Sequence, residues 1–463
     1  MFPLIIFFFG ISIFVSLFFS FLSFQFRASA TDLSEMDIVM STDNNYIYPT
    51  LVSMTSIVEN KKENSYLRFH LMLSGSISDE NKQKFEKFEK IYGNQNCSVE
   101  FIDMKDKFTN AKLYYLTAAT YYRLSIPSLL PNCDKVIYLD GDIIVNKDLQ
   151  DLYNTDISDD YLAGCIDYPV FLQYGQFKDY QKRLDIPDLT KYINAGVLLL
   201  NLKNIRKDNI EKKWEDLIPE IGPKEMTMQD QDIINSVCYD KIKILDPEFN
   251  ILLSFFPYNK SLSQNLDSKV LNKIRIAYDD PCIIHYNGSD CKPWKNSSCE
   301  KYDIWNDHRK KVENNFYEKK KFNGKYKLVS KLNENKVLDI SQGSKNNGAN
   351  VNLWNFNNSN AQKFSIYYDS QGTYKIKAAC SRKVLDVSGG SKKSGTNVIQ
   401  YEEHHGDNQK WFLKDAGDGY FYIISKCNNM YLDVENSNVT NETNIRVCDF
   451  SGSDNQKFKI VRV

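Results

Sequence analysis

The stretch KVIYLDGDIIVNKDL, residues 135–149, carries more structural information than any other in the chain. An apolar strand pattern, Val136 to Leu139, runs into Asp140-Gly141-Asp142, and a second β-branched run, Ile143 to Val145, follows at once. Side chains two apart on a strand point to one side. Both carboxylates can therefore face a single hard cation, and the intervening glycine lets a ligand approach the backbone. An Asp-x-Asp pair is weak by itself, because such pairs are common on solvated loops. Its place directly after an apolar strand gives it weight.

Outward from this stretch, the short apolar runs MDIVMST (36–42), LRFHLMLS (67–74) and SVEFIDM (98–104) alternate with helical patterns. Strand and helix in alternation over about 250 residues predict an α/β domain with a mostly parallel sheet. Ligands of such sheets sit beyond the carboxyl ends of the strands, where the strand order reverses. The residues after Asp37–Ser41 and after Leu139 are thus the candidate site. Far downstream, CIIHYNGSDCKPW (282–294) places His285 after another apolar run, and imidazole is a competent ligand for transition metals.

The last third of the chain is an internal repeat. KVLDISQGSKNNGANVNLWNFNNSNAQKF from Lys336, KVLDVSGGSKKSGTNVIQYEEHHGDNQKW from Lys383 and MYLDVENSNVTNETNIRVCDFSGSDNQKF from Met430 align without a gap. Asp339, Asp386 and Asp433 recur every 47 residues, and Gln362, Gln409 and Gln456 each follow their Asp by 23. Three such units span residues 323–463, which predicts a closed three-fold arrangement of short strands. Between the two regions, KYDIWNDHRKKVENNFYEKKK lacks Gly and Pro and reads as a charged helix or linker over residues 301–322.

At 463 residues the chain exceeds a single core, in keeping with two domains. A net charge of −1, with Lys and Arg interleaved among Asp and Glu, supplies no field for nucleic acid and excludes that partner. The 29 Tyr and 28 Phe suit cores and sugar-stacking surfaces alike. The first 26 residues carry no charged side chain and are followed by Arg27 and Ala28-Ser29-Ala30, so residues 1–30 read as a signal peptide or a signal-anchor. The expected address is the secretory pathway lumen, Golgi or ER, or the exterior, with membrane contact only through this segment if it is uncleaved. Seven Asn-x-Ser/Thr sequons, at Asn96, Asn259, Asn287, Asn296, Asn357, Asn438 and Asn441, accord with that address. Ten cysteines without a Cys-x-x-Cys pair do not indicate zinc. Bridges from Cys291 to Cys299 and from Cys427 to Cys448 are conceivable pairings in a lumenal protein.

The segment from Met36 to about Trp294, within an expected domain of residues 31–300, resembles glycosyltransferase family 8, retaining nucleotide-sugar transferases with a GT-A fold, and in particular its lipopolysaccharide galactosyltransferase branch. The resemblance rests on MDIVMSTDNNY, TYYRLSIP, DGD, INAGVLLLNL, QDQDIIN and HYNGSDCKPW. It implies that Asp43, Asn45 and Tyr46 contact the uridine, and that Arg123, Gly288 and Lys292 serve the rest of the nucleotide. Asp140, Asp142 and His285 would bind Mn²⁺ or another divalent cation. Asn194, Ala195, Gly196 and Asp167 would meet the donor sugar, Ala195 and Gly196 by allowing close approach. Asp230 would hold sugar hydroxyls, and Gln231 would stabilise an oxocarbenium-like transition state through its carbonyl dipole. Read from the residues alone, QDQDIIN is also a helix N-terminus with a capping Asp. The family usually has two residues between the Gly and the Lys-Pro-Trp, whereas Ser289, Asp290 and Cys291 make three here, which leaves the placement of Lys292 open.

The repeats resemble a ricin-type β-trefoil lectin. That implies pockets with a carboxylate for sugar hydroxyls and an aromatic ring for the sugar face. Asp386, Tyr401, Asn408 and Gln409 make the second copy the best candidate, followed by Asp339, Asn352 and Trp354 in the first. The third copy has Cys448 in place of the aromatic and is expected to be weak or silent. The Gln positions read better as core and turn supports than as ligand contacts. The leading expectation is a hexosyltransferase acting on a UDP-sugar donor and a glycan acceptor, with carbohydrate bound by the trefoil. The alternatives are a secreted lectin with a degenerate transferase domain and a self-glycosylating enzyme.

Overall fold

The computed structural model describes residues 33–463 apart from 76, 106, 109–117, 175–177, 221–226, 259–263, 289–290, 318–321 and 323. The N-terminal segment expected to be a signal peptide or signal-anchor lies outside the described residues. Among the described residues no helix is long and apolar enough to cross a membrane. The chain divides into two compact units, Met1–Cys291 and Lys292–Val463.

In the first unit, β1 (Ser34–Thr42), β2 (Ser65–Leu73), β3 (Cys97–Asp103), β4 (Lys135–Leu139), β6 (Leu162–Ile166), β7 (Ile193–Asn201) and β8 (Ile242–Ile244) form a seven-stranded sheet. Its order is β3-β2-β1-β4-β7-β6-β8. Met36 to Met40 of β1 are buried on both faces, as an apolar run in the middle of a parallel sheet requires. The helix α1 (Ile47–Asn60) returns the chain from β1 to β2, and α2 (Asp79–Tyr92) returns it from β2 to β3.

The sheet departs from the parallel expectation at β7, which runs antiparallel to both β4 and β6. The reversal matters for chemistry. Leu139 at the end of β4 pairs with Val197 at the middle of β7, and the Asp140 N–H donates to the Gly196 carbonyl at 2.8 Å, which sets the first residues of β7 beside the turn after β4. The beginning of one strand is thereby delivered to the end of another.

A three-stranded sheet stands apart from the large one, with β5 (Ile143–Val145) antiparallel to β10 (Ile283–His285), and β9 (Ile251–Leu252) parallel to β10. Its register pairs His285 with Ile143, and the Tyr286 N–H donates to the Asp142 carbonyl at 3.0 Å.

In the second unit, α4 (Tyr302–Phe316) occupies the region read as a charged helix or linker, and twelve strands between Tyr326 and Arg462 form one closed sheet. Each copy contributes its Asp from a short buried strand, Lys336–Ile340, Val384–Val387 and Tyr431–Val434. The apolar partners of those carboxylates, among them Leu338, Leu385 and Leu432, meet in a single core with Phe364, Trp411 and Phe458.

Candidate active site

Asp140 and Asp142 are not on a strand, because β4 ends at Leu139 and the two carboxylates lie in the turn that leads into β5. Strand periodicity therefore does not set their shared side, contrary to the expectation from sequence. What brings them together is the turn plus the β5–β10 pairing, which adds His285. One ligand atom from each of Asp140, Asp142 and His285 lies within 4.8 Å of the others. His285 Nε2 is 3.3 Å from Asp142 Oδ1 and 3.8 Å from Asp140 Oδ2. Two carboxylates and an imidazole converging from distant parts of the chain are a donor set that fits a divalent transition metal.

Asp140 is fixed by its other oxygen. Oδ1 accepts from Arg123 Nη2 at 2.8 Å and from the Tyr138 hydroxyl at 2.9 Å, which turns Oδ2 toward His285. Arg123, expected from the resemblance to serve the nucleotide, is instead buried and committed to protein. Its Nε sits 3.0 Å from Asp230 Oδ2, its Nη1 donates to the Ala195 carbonyl, and its guanidinium lies 4.5 Å from the Tyr138 ring centroid. Asp230 is likewise committed, accepting from Thr120 Oγ1 at 2.6 Å, so it holds Arg123 where the resemblance implied sugar hydroxyls.

His285 is oriented by a residue that the sequence did not suggest. Asn250 Oδ1 lies 3.1 Å from His285 Nδ1, and its Nδ2 donates to Asn194 Oδ1 at 2.9 Å. Asn194 in turn donates to Asp167 Oδ2 at 3.0 Å and to Gln231 Oε1 at 3.2 Å. Gln231 Oε1 also accepts the Ala195 N–H at 3.0 Å, and its Nε2 donates to Asp167 at 3.0 Å. The helix α3 (Asp230–Cys238) begins at this motif, so QDQDIIN is a helix N-terminus as well as a site segment. Both lone pairs of the Gln231 carbonyl accept hydrogen bonds from within the protein. Gln231 knits Asp167, Asn194 and Ala195 together.

Two glycines have explanations other than the expected ones. A Cβ on Gly141 would fall 2.6 Å from Thr50 Oγ1 of α1, so the residue is small to admit the helix, not a ligand. A Cβ on Gly196 would fall 2.2 Å from His285 Cε1 and 2.8 Å from Asp140 Oδ2. Close approach at Gly196 is thus made by the ligating side chains themselves. Gly288 keeps a left-handed φ of +82°, a conformation that suits glycine.

Beyond the end of β1, Asp43 Oδ1 accepts the N–H groups of Asn45 at 2.8 Å and Tyr46 at 3.1 Å, shaping the loop that the resemblance assigned to uridine. Tyr46 is near enough to the metal set that burial, then the charges of Asp142 and Asp140, push its hydroxyl well above the ordinary range. Asn45 is exposed. A cleft of ≈380 Å³, lined by Asp43, Ser74, Lys105, Ala119 and Tyr122, opens beside this loop. That volume suits a small ligand. Lys105 carried no sequence motif that marked it, and Tyr122 stands in TYYRLSIP beside Arg123. Lys292 belongs to the second unit, where its Nζ lies 5.6 Å from the Trp294 ring centroid.

In the second unit, Gln409 is fully buried. Its Nε2 donates to Asp386 Oδ2 and to the Glu402 carbonyl, both at 2.8 Å, and its Oε1 accepts the His404 N–H at 2.8 Å. Gln409 therefore supports the loop and does not reach a sugar. Asn352 is also buried, and its Oδ1 has no hydrogen-bond partner. Tyr401 is exposed near Asp386, with Trp354 at the matching place of the first copy. Asn408 Nδ2 donates to the Val387 carbonyl at 3.4 Å. In the third copy Arg446 Nε lies 3.2 Å from Asp433 Oδ1, while Asn455 and Gln456 hold Oδ2 at 2.7 and 3.1 Å. That carboxylate is occupied from within. No disulfide joins the cysteines, so neither suggested bridge is formed, and Cys427 Sγ lies 3.2 Å from Ser425 Oγ.

Comparison with known proteins agrees with this geometry. Residues 37–298 match the model of glycosyl transferase family 8, and residues 315–401, 371–448 and 407–463 match that of the ricin-type beta-trefoil lectin domain-like family. A putative glycosyltransferase of Haemophilus influenzae is 34% identical over 262 residues, covering 55% of this chain and 71% of that protein. The lipopolysaccharide 1,3-galactosyltransferase of Salmonella typhimurium is 28% identical over 274 residues, covering 58% and 75%. Among solved structures, the galactosyltransferase LgtC in complex with donor and acceptor sugar analogues superposes with a TM-score of 0.51 at 28% identity, covering 59% of this chain and 95% of that one. With its family match spanning more than half of its length, the chain belongs to glycosyltransferase family 8 and is a hexosyltransferase with a GT-A-like catalytic domain and a ricin-type lectin region.

Proposed function

We propose that the catalytic domain transfers a hexose, glucose or galactose, from a UDP-sugar to a glycan acceptor with retention of configuration, and that the trefoil binds carbohydrate. The observation that carries this reading is the meeting of Asp140, Asp142 and His285 within 4.8 Å beside the Asp167–Asn194–Gln231 cluster. Mn²⁺ is the ion expected; held by those three side chains, it would offset the charge that grows on a diphosphate leaving group. The protein's own groups do the rest. Arg123 and Tyr138 hold Asp140 in its ligating rotamer, and Asn250 holds the His285 ring. Asp167 and Asn194 stand at the start of β7 where a donor hexose would present its hydroxyls, and the loop after β1 would take the uridine. The uncharged N-terminal segment supports a lumenal, Golgi or ER, or extracellular address.

A screen of UDP-sugars for Mn²⁺-dependent release of UDP tests the proposal. Turnover of one UDP-hexose, abolished by Asp142→Asn and yielding the same anomeric configuration by NMR, is the expected result. No release from any UDP-sugar, or an unaffected Asp142→Asn variant, would overturn it in favour of a secreted lectin with a degenerate catalytic domain.

A further inference from the structure

A second set of metal-ligating side chains lies toward the opposite ends of the same strands. Asp37 on β1, His70 on β2 and Cys133, two residues before β4, each offer one ligand atom, and these atoms lie within 4.8 Å of one another. The parallel register explains the assembly. Val39 pairs with His70 and His70 with Glu100, so Asp37, His70 and Glu100 share one face of the sheet. The transferase residues follow the carboxyl ends of β1 and β4, at Asp43 and Asp140, so nothing in the proposed reaction uses this cluster.

We propose that Asp37, His70 and Cys133 form a zinc site that staples β1, β2 and the entry to β4. An oxygen, a nitrogen and a sulfur donor together suit Zn²⁺ and do not suit Mg²⁺ or Ca²⁺. The imidazole is already aimed. His70 is buried, its Nδ1 lies 3.0 Å from Glu100 Oε2, and its Nε2 lies 2.8 Å from Asp37 Oδ1. Glu100 on Nδ1 supplies the usual outer partner of a zinc-bound histidine, and a metal would enter between Nε2 and Asp37 Oδ1 in place of their direct contact, which has to open by about 0.5 Å. Tetrahedral bonds of about 2.0–2.3 Å need ligand atoms about 3.3–3.8 Å apart. Cys133, half-buried in the turn before β4, has to close by at most about 1 Å from the 4.8 Å bound on the set.

The proton balance is simple: Zn²⁺ displaces the proton of the Cys133 thiol, a Zn–S bond forms, and the proton leaves to solvent. Because the ligand is the thiolate, protons compete with the metal and binding weakens as pH falls. Arg68 is the counterweight, with Nη1 2.8 Å from Asp37 Oδ1 and Nη2 3.0 Å from Glu35 Oε2. Arg206 is a second cation beside the set, its Nη2 donating to the Cys133 carbonyl at 2.9 Å, and Glu35, Asp37, Glu100 and the thiolate outweigh the two guanidiniums. The absence of any Cys-x-x-Cys pair hid the set from the sequence, since its members are joined only by strand pairing.

Co²⁺ titrated into the full chain under a phosphine reductant is the test, because thiolate ligation gives a near-ultraviolet charge-transfer band. The band is expected in the wild type and in Asp142→Ala, whose catalytic set contains no sulfur, and is expected to vanish in Cys133→Ser. Cys133→Ser is nearly isosteric at a half-buried position, and near-ultraviolet circular dichroism checks that it folds. Arg68→Gln is expected to tighten Co²⁺ binding. Independently, Zn²⁺ should slow iodoacetamide labelling of Cys133 among the ten cysteines, read by peptide mass spectrometry. No band, a band that survives Cys133→Ser, or weaker binding in Arg68→Gln would overturn the site and leave an ion-pair network only.

Discussion

Asn250 ties His285 to Asn194 through the two ends of one amide, 3.1 Å from the imidazole Nδ1 and 2.9 Å from the Asn194 Oδ1. One side chain thus positions both His285 of the metal set and Asn194 at the start of β7. Because His285 Nδ1 is engaged there, Nε2 is the nitrogen presented to Asp140 and Asp142.

Asn250→Ala should therefore weaken the metal before anything else. Outer partners of a ligating histidine are worth roughly 10–100-fold in affinity or activity. A higher Mn²⁺ requirement with partial recovery of rate at saturating Mn²⁺ is the expected signature. An unchanged Mn²⁺ dependence with a lower rate would assign Asn250 to the sugar loop alone.

Gly196→Ala places a methyl 2.2 Å from His285 Cε1. The ring has to move by more than its ligating geometry tolerates, and a misplacement of about 1 Å costs roughly 10²-fold in rate. Loss of at least that much activity, with an unchanged far-ultraviolet circular dichroism spectrum, is expected; retention of activity would show that the loop moves away from His285 as a unit.

Arg123→Met removes the only cation placed between Asp140 and Asp230 among the described residues. Breaking a buried pair by deleting one partner costs about 3–5 kcal/mol, because the remaining charge stays buried. Urea denaturation of the variant should show a loss of that order. A loss below ~1 kcal/mol would mean that the carboxylates accept protons or water in place of the guanidinium.

Asp232 sets a pH dependence. Burial pushes its carboxyl up to about 6, against hydrogen bonds from Tyr180 and Tyr192 that pull it down. The unfolded value is ~3.9, so the folded state holds the proton more tightly than the unfolded one. The stabilisation is complete below about pH 4 and is lost as pH rises through about 6, by roughly 2–3 kcal/mol in all. Asp232→Asn should flatten the slope of stability between pH 4 and 7, whatever constant offset it introduces. An unchanged slope would place the titration elsewhere.

In the trefoil, Asp386→Ala should abolish retention on immobilised glycan if the second copy is the principal pocket. Arg446→Ile, which installs the residue found at 399 in the second copy, releases Asp433. Together with Cys448→Tyr it should create a further binding pocket, visible as a higher stoichiometry by calorimetry. No gain would mean that Asn455 and Gln456 alone keep Asp433 out of reach.

The architecture was largely legible because its signals are periodic. A 47-residue recurrence of Asp and Gln has few alternative readings, and alternating apolar runs bounded by Asp-Gly-Asp announce strand ends. The metal set was legible because its members are chemically distinctive. Asn250 was not, since an Asn after a Pro-Glu-Phe turn looks like any loop residue until the β9–β10 pairing places it against His285. Arg123 and Asp230 were legible as site residues but not as partners of each other, because 107 residues separate them in the chain. Gly141 and Gly196 were marked correctly as positions without room, yet what occupies the room depends on long-range packing. The reversed direction of β7 left no local trace at all.

The short pairing of β5 with β10 carries a burden out of proportion to its size. Three residues on each side align His285 against Ile143, and side chains alternate faces at every step of a strand. A single-residue insertion inside 143–145 or 283–285 would swing the imidazole to the far side of the ribbon, whereas the same insertion in the loop that follows Gly288 leaves the alignment untouched. Natural variation in chain length should therefore be tolerated after that glycine and excluded from these six positions, which makes them the calibration marks of the catalytic pocket.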